Sequence, residues 1–189
     1  MAPPPLNLAV IVASTREGRF GPTVAQWFVG HAGQREDMNV DVIDLADLDL
    51  PAALPRRRDP DMESYVKRIE FADAYVVVTP EYNHGYPASV KQAIDLPHDE
   101  WKAKAVGFVS YGGMAGGLRA VEQLRQVFAE LHVATMRDTV SFHQFFELFD
   151  TSGQLKDPTG PAAAATIMLD QLWWWGNALR AGRAAGGPP

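Results

Sequence analysis

The stretch VVVTPEYNHGYPASVKQAID, residues 76–95, opens as an apolar β-branched run, breaks at Pro80, turns through Asn83, His84 and Gly85, and resumes after Pro87 with helical spacing. The run at 75–78 is apolar at every position, as a strand buried on both faces must be. Two prolines bracket the turn and fix φ, which lowers the entropy cost of holding it in one shape. No evident nucleophile lies in it. The turn therefore reads as a surface for a flat, rigid ligand that brings its own chemistry.

Working outward, residues 8–13, 40–45 and 105–110 are further strand-like runs, and 132–142 hold a fifth, less regular one. Helical patterns lie between them. One starts at Gly21 and Pro22, with Phe20, Val24, Trp27, Phe28 and His31 on its packed face. Another follows Asp59, a capping residue, and Pro60, and displays Met62, Tyr65, Val66 and Ile69. A third carries Val121, Leu124, Phe128 and Leu131; the last opens at Pro161 with an apolar stripe of Leu169, Leu172, Trp173, Gly176 and Leu179. Strands alternating with helices in this way predict an α/β fold: a doubly wound, five-stranded parallel sheet of flavodoxin-like order 2-1-3-4-5, with helices on both faces.

With 189 residues, 47% of them hydrophobic, the chain supports one domain, here expected to span residues 1–180. Residues 181–189 are small residues with Gly and Pro and are expected to be a disordered tail. A formal charge of -6 and a pI of about 5.3 argue against a nucleic-acid or anionic-membrane binder. The chain has no cysteine, so a disulfide, thiolate metal site or redox-active thiol is excluded and any redox role needs a cofactor. The five histidines show no HExxH or similar spacing, and no metal is expected. The amino-terminal apolar run is too short to span a bilayer, so a cytoplasmic protein is expected.

Three loops follow strands at the sheet's carboxyl edge, where open α/β sheets bind ligands. The first, STREGRFGPT at residues 14–23, offers the hydroxyls of Ser14 and Thr15, the guanidinium groups of Arg16 and Arg19, and a helix start at Gly21, a set suited to an anion. Neither GxxxxGK[ST] nor GxGxxG is present, so a monophosphate fits better than a pyrophosphate. An ordinary turn with solvated arginines is the plain alternative. The second loop runs from Pro80 to Pro87. The third, SYGGMAGG at residues 110–117, has glycines that permit close backbone approach, and its amides precede a helix whose partial positive charge could meet a ring edge.

On these residues the chain resembles the NADPH-dependent FMN reductase family, flavoproteins that include quinone, azo-compound and chromate reductases. Ser14-Thr15-Arg16 after the first strand and PEYNHGYPASVKQAID carry the resemblance, which extends over residues 8–142 and includes SYGG. It implies that Ser14, Arg16, Arg19, Phe20 and Gly21 hold the FMN phosphate. Pro80, Glu81, Tyr82, Asn83, His84 and Gly85 would wrap the isoalloxazine, and Ser110, Gly112 and Gly113 would meet its other edge. Arg19 and Gly21 stand where many members have serine and asparagine. No residue of the chain is then catalytic, since FMN carries the chemistry. NAD(P)H is the implied donor and a quinone, flavin or similar small molecule the acceptor; because both use one stacking face, ping-pong kinetics are expected.

The alternative is a non-enzymatic flavodoxin-like electron carrier or redox-responsive binding protein, against which the open, glycine-rich loops speak. A hydrolase reading of Ser110 fails because G-x-S-x-G would need glycine at position 108, which is Phe108. Arg56, Arg57 and Arg58 read as a solvated run, with the 2′-phosphate of NADPH as the sharper alternative. FHQFFELF, residues 142–149, and Trp173 to Trp175 hold more aromatic surface than one core needs, and the resemblance implies a homodimer, with a tetramer as the alternative.

Overall fold

The computed structural model describes residues 3–51, 53 and 55–187. Met1, Ala2 and the last two residues of the expected tail therefore lie outside the described residues, as do Ala52 and Leu54 of the 49–60 loop. Strand β1 (Leu6–Val12) pairs in parallel with β2 (Met38–Asp44) on one side and β3 (Ala74–Pro80) on the other. β3 pairs with β4 (Ala105–Gly112), and β4 pairs with β5 (Ala134–Thr135) and β6 (Val140–His143). The order is β2-β1-β3-β4-β5, with β6 also against β4, so the expected 2-1-3-4-5 path is the one observed.

Six helices cover the sheet: α1 (Gly21–Ala32), α2 (Pro60–Phe71), α3 (Ala88–Asp95), α4 (Leu118–Glu130), the short α5 (Phe145–Leu148) and α6 (Thr159–Ala184). Successive strand residues point to opposite faces, and both faces are apolar. Ile11, Tyr75, Val77 and Phe108 pack against α2, α3 and α4; Val10, Val12, Val76, Val78 and Val109 pack against α1 and α6. Asp59 caps α2 as expected, its Oδ1 accepting from Met62 N at 2.9 Å, and Met62, Tyr65, Val66 and Ile69 are the helix's buried residues. Gly107 lets α6 close onto β4, since a Cβ there would sit 2.8 Å from Met168 Sδ.

Most element ends shift by one or two residues, α6 opening at Thr159 instead of Pro161, and three differences are larger or have a clear cause. The fifth strand splits into β5 and β6, and Arg125 takes up the carbonyls left at the break, donating to Met136 O at 2.6 Å and Arg137 O at 3.1 Å. β3 runs through Pro80 instead of breaking at it, because β1 ends opposite Val78 and the proline needs no ladder amide on that side. α6 continues to Ala184, past the start of the expected disordered tail at residue 181. Arg180 and Arg183 hold it there: both pair with Asp73, Arg180 donates to Pro4 O at 2.7 Å and Arg183 to Ala103 O at 2.6 Å. Among the described residues no helix is long and apolar enough to cross a membrane.

Lys104 lies buried at this foot of the sheet. Its Nζ donates to Ile69 O at 2.8 Å and Glu70 O at 2.7 Å, two bonds that a neutral amine can also make. Burial, reinforced by the neighbouring Arg183 guanidinium, pulls its pKa down to about 7. The unfolded chain keeps the proton up to about pH 10.4, so between these values it binds more protons than the native state and stability must rise with pH. Lys104→Met should remove this rise. In urea titrations from pH 7 to 10, wild type is expected to gain on the variant by at most about 1.4 kcal/mol per pH unit.

Candidate functional site

The chain leaves β1 toward the face covered by α1 and α6, and leaves β3 toward the face covered by α3, so a crevice opens between their carboxyl ends. Two contacts fix its two sides to each other, and two more hold the first loop. Ser89, in the first turn of α3, donates to Ala13 O at 2.5 Å, and Ser14 Oγ shares a 2.7 Å hydrogen bond with the Tyr82 hydroxyl. Arg19 donates to Ser14 O at 3.0 Å and pairs with Asp44 at 2.5 Å, an interaction that raises its pKa further. The first loop is thereby tied to β2, β3 and α3.

Arg16 carries the loop's uncommitted cation. Among the described residues its guanidinium has no protein partner, and the amides from Thr15 to Gly18 meet no protein acceptor, while Arg19 N closes a turn on Arg16 O. Glycine gives close packing where α1 starts: a Cβ on Gly21 would press on the Tyr111 hydroxyl and Val12 Cγ1, each at 3.1 Å. Tyr111 is buried below this turn, and burial, with Tyr82 close by, pushes its phenol up and keeps it protonated.

The second loop is a tight hairpin turn. Tyr82 and Gly85 exchange hydrogen bonds of 2.9 and 3.0 Å, and Asn83 and His84 between them have φ of 49° and 70°. Such a primed turn needs positive φ at both central residues, a conformation uncommon outside glycine but adopted by asparagine and histidine more readily than by most side chains. Outside contacts hold it. Gln123 of α4 donates to His84 O at 2.8 Å, and the Glu81 carboxylate accepts from Arg119 Nη1 at 2.8 Å and from Arg119 N at 3.2 Å.

Two cavities share the wall formed by Arg16, Glu81 and Tyr82. One, of about 450 Å3, is completed by Glu17, Gly18, Arg19, Phe20, Pro80, Tyr111, Gly112, Gly113 and Phe145. The other, of about 620 Å3, adds Thr15, Asn83 and Pro87 to Ser89. The expected residues Arg16, Arg19, Phe20, Pro80, Glu81, Tyr82, Gly112 and Gly113 thus meet at one cavity, with Asn83 next door. Ser14, Gly21, His84, Gly85 and Ser110 instead support these walls. Ser110 is fully enclosed and donates to Gly116 O at 2.8 Å, a carbonyl that Ser141 also holds at 2.8 Å. Arg19 is engaged by Asp44, and the amino end of α4, offered by the sequence to a ring edge, already accommodates Glu81.

Tyr111 and Phe145 also line the first cavity, although neither stands out in the sequence as a ligand residue. Tyr111 stands within SYGG, and Phe145 lies in the aromatic run that the sequence marked as excess. Most of that run is internal: Phe20 stacks near Phe145 and Phe149, and Phe142 near Trp27. Phe146, Trp174 and Trp175 stay exposed. Of the three arginines at 56–58, Arg58 is bound to Glu100 and Leu96 O, and all three line a separate recess beside α2 and α3.

The donor set fits FMN: a free guanidinium and a row of loop amides ahead of α1 suit a phosphate, and glycine and proline backbone beside aromatic rings suits a flat ring. Fold and crevice together define a flavodoxin-like α/β protein with a crevice at the switch point. The chain belongs to the NADPH-dependent FMN reductase family, whose pattern it matches over residues 6–147. It is 38% identical over 140 residues to an NAD(P)H-dependent FMN reductase of Schizosaccharomyces pombe, covering 68% of this chain and 69% of that one. It is 28% identical over 179 residues to a quinone reductase of Pseudomonas putida, covering 88% and 94%. Its fold is similar to that of the flavoenzyme NAD(P)H:(acceptor) oxidoreductase of Paracoccus denitrificans, with a TM-score of 0.73 at 23% identity over 92% of this chain and 98% of the other. Membership makes the chain an oxidoreductase that works with FMN and NAD(P)H.

The glycine loop supplies a test of how tightly these walls are set. Gly116 has φ of 58°, and a Cβ there would lie 2.5 Å from Ser141 Oγ and 2.6 Å from His143 Cδ2. Gly116→Ala should destabilise the protein by roughly 1–3 kcal/mol in urea titration. At Gly113 the nearest atom to a Cβ is Gln144 Oε1 at 3.8 Å, and Gly113→Ala is expected to stay within about 0.5 kcal/mol of wild type.

Proposed function

We propose that this oxidoreductase reduces a quinone, a free flavin or a similar flat acceptor at the expense of NAD(P)H, by a ping-pong mechanism with FMN held in the crevice between β1 and β3. One observation carries the reading: the cavity that presents an unpaired Arg16 and free loop amides at one side is walled by Pro80, Tyr82, Gly112, Gly113 and aromatic rings at the other. Bound FMN supplies the acceptance and return of two electrons with a proton, so the protein's task is to bind, orient and exclude water.

In this reading Arg16 and the amides of residues 15–18 bind the phosphate, while Ser14, Arg19 and Gly21 keep the loop in shape. Pro80 to Asn83 line one edge of the ring, with His84 and Gly85 closing the turn, and Gly112 and Gly113 line the other, with Ser110 fixing their loop. The enclosed hydroxyls and carboxylates of the crevice, Ser14, Ser89, Ser110 and Glu81, are engaged by the protein itself, which favours an enzyme whose substrates meet a cofactor. We also propose that the chain is one domain that includes the whole of α6, acts in the cytoplasm and forms a homodimer. Ile167, Trp174 and Trp175, exposed on α6, support an interface between copies.

Initial rates with NADPH and a benzoquinone, varied against each other, should give parallel double-reciprocal lines; intersecting lines would establish a ternary complex and reject the shared-face mechanism. Anaerobic stopped-flow reduction that bleaches the flavin band on the turnover timescale is expected, and its failure with stoichiometric FMN bound would favour the electron carrier. Arg16→Ala should weaken FMN affinity about tenfold or more, the loss of one charge-assisted hydrogen bond, and leave the melting temperature of the FMN-free protein unchanged.

A further inference from the structure

Glu81 is part of the cavity wall, yet its carboxylate is held by α4 and its side chain is only 9% exposed. One oxygen accepts from Arg119 Nη1 at 2.8 Å and the other from Arg119 N at 3.2 Å. Arg119 stands in the first turn of α4, directly after the glycine loop, and Gly117, with φ of 86°, opens that helix without a side-chain cap. Glu81 therefore does for α4 what a capping carboxylate does: it satisfies a free amide and neutralises the helix's positive end. Gln123, one turn further along α4, holds His84 O at 2.8 Å from the same side. The turn at 82–85 has two non-glycine residues at positive φ and is fastened through both of its flanks to the helix that follows the glycine loop.

We propose that Glu81, Arg119 and Gln123 form a clasp that makes the turn at 82–85 and the glycine loop one rigid unit, with Glu81 acting as a positioning residue whose charge, balanced by Arg119, holds down the redox potential of the flavin between them. The charge effect rests on the FMN reading above; the clasp does not. Its sign follows from Coulomb's law. Two-electron reduction places negative charge on the ring, so removing the Glu81 carboxylate leaves Arg119 and the end of α4 unopposed and favours the reduced form. Removing the Arg119 cation does the reverse. Gln123 is uncharged and contributes to the turn alone.

The test uses Glu81→Gln, which keeps volume and an acceptor, Arg119→Met, the double variant and Gln123→Ala. In the FMN-free protein, hydrogen exchange at the Gly85 amide, which donates to Tyr82 O, is expected to quicken at least tenfold in each single variant. In the double variant it should quicken no more than in the worse single one, since the two groups act as a unit. With FMN bound, Glu81→Gln should raise the two-electron midpoint potential and Arg119→Met lower it, each by a factor of about ten in the ratio of reduced to oxidised affinity, or about 30 mV. The double variant should return toward wild type, and Gln123→Ala should leave the potential unmoved. Unchanged Gly85 exchange in the single variants overturns the clasp. Potentials that move together in Glu81→Gln and Arg119→Met overturn the charge balance. A wild-type chain that binds no FMN refutes the FMN reading itself and with it the charge effect, and the exchange experiment still decides the clasp.

Discussion

A strand sealed by apolar side chains on both faces meets solvent only at its ends, and β1, β3 and β4 are sealed in this way along nearly their whole length. Any chemistry must therefore be assembled from the segments that emerge beyond those strands. The chain then departs from β1 and β3 to opposite faces, because α1 and α3 each have an apolar face that only their own side of the sheet can bury. The crevice is a by-product of that packing. Its position is set by the distribution of valine, isoleucine and alanine in the core and does not depend on any residue in the crevice itself.

What the crevice residues add is fixity. A loop at a strand end would ordinarily be the mobile part of such a fold. Here each loop is held by polar contacts to a different element: the first by Ser89, Tyr82 and Asp44, the second by Arg119 and Gln123, the third by Ser110 and Ser141 converging on one carbonyl. Several of these contacts span long sequence separations, so the shape of the site forms only once the sheet has formed. The two left-handed residues of the second loop persist for the same reason, since their local strain is opposed by bonds to α4.

This division explains what could be read from the sequence. Strand 75–78 and the helix face of Met62, Tyr65, Val66 and Ile69 follow from periodicity, a local property that the core then uses without alteration. The identity of the three loops was legible too, since glycine, proline and arginine signal turns and anions locally. The roles of single side chains were not. Arg19 and Glu81 looked available to a ligand because their partners, Asp44 and Arg119, lie 25 and 38 residues away and nothing in the intervening sequence announces them. Ser110 was read as a flavin contact, yet its bond to Gly116 depends on how a glycine at φ of 58° folds back over the strand end. The FHQFFELF run was misjudged for the opposite reason: its excess is consumed by packing against Phe20 and Trp27, which only the sheet order brings near.

The pattern of commitment bears on function. In an enzyme that performs acid–base or nucleophilic chemistry, a carboxylate or hydroxyl in the cleft must be free to meet substrate. In this crevice the hydroxyls of Ser14, Ser89 and Ser110 and the carboxylates of Asp44 and Glu81 are engaged by the protein's own backbone or side chains. Among the described residues, the groups left unengaged are the exposed Glu17 carboxylate, the Thr15 hydroxyl and Asn83 at the rim, the Arg16 guanidinium, and a run of backbone amides suited to an anion. A cleft with its enclosed acids and hydroxyls tied down and its anion donors free suits the proposed task of keeping a phosphorylated cofactor still, which is what a bound flavin leaves to the protein.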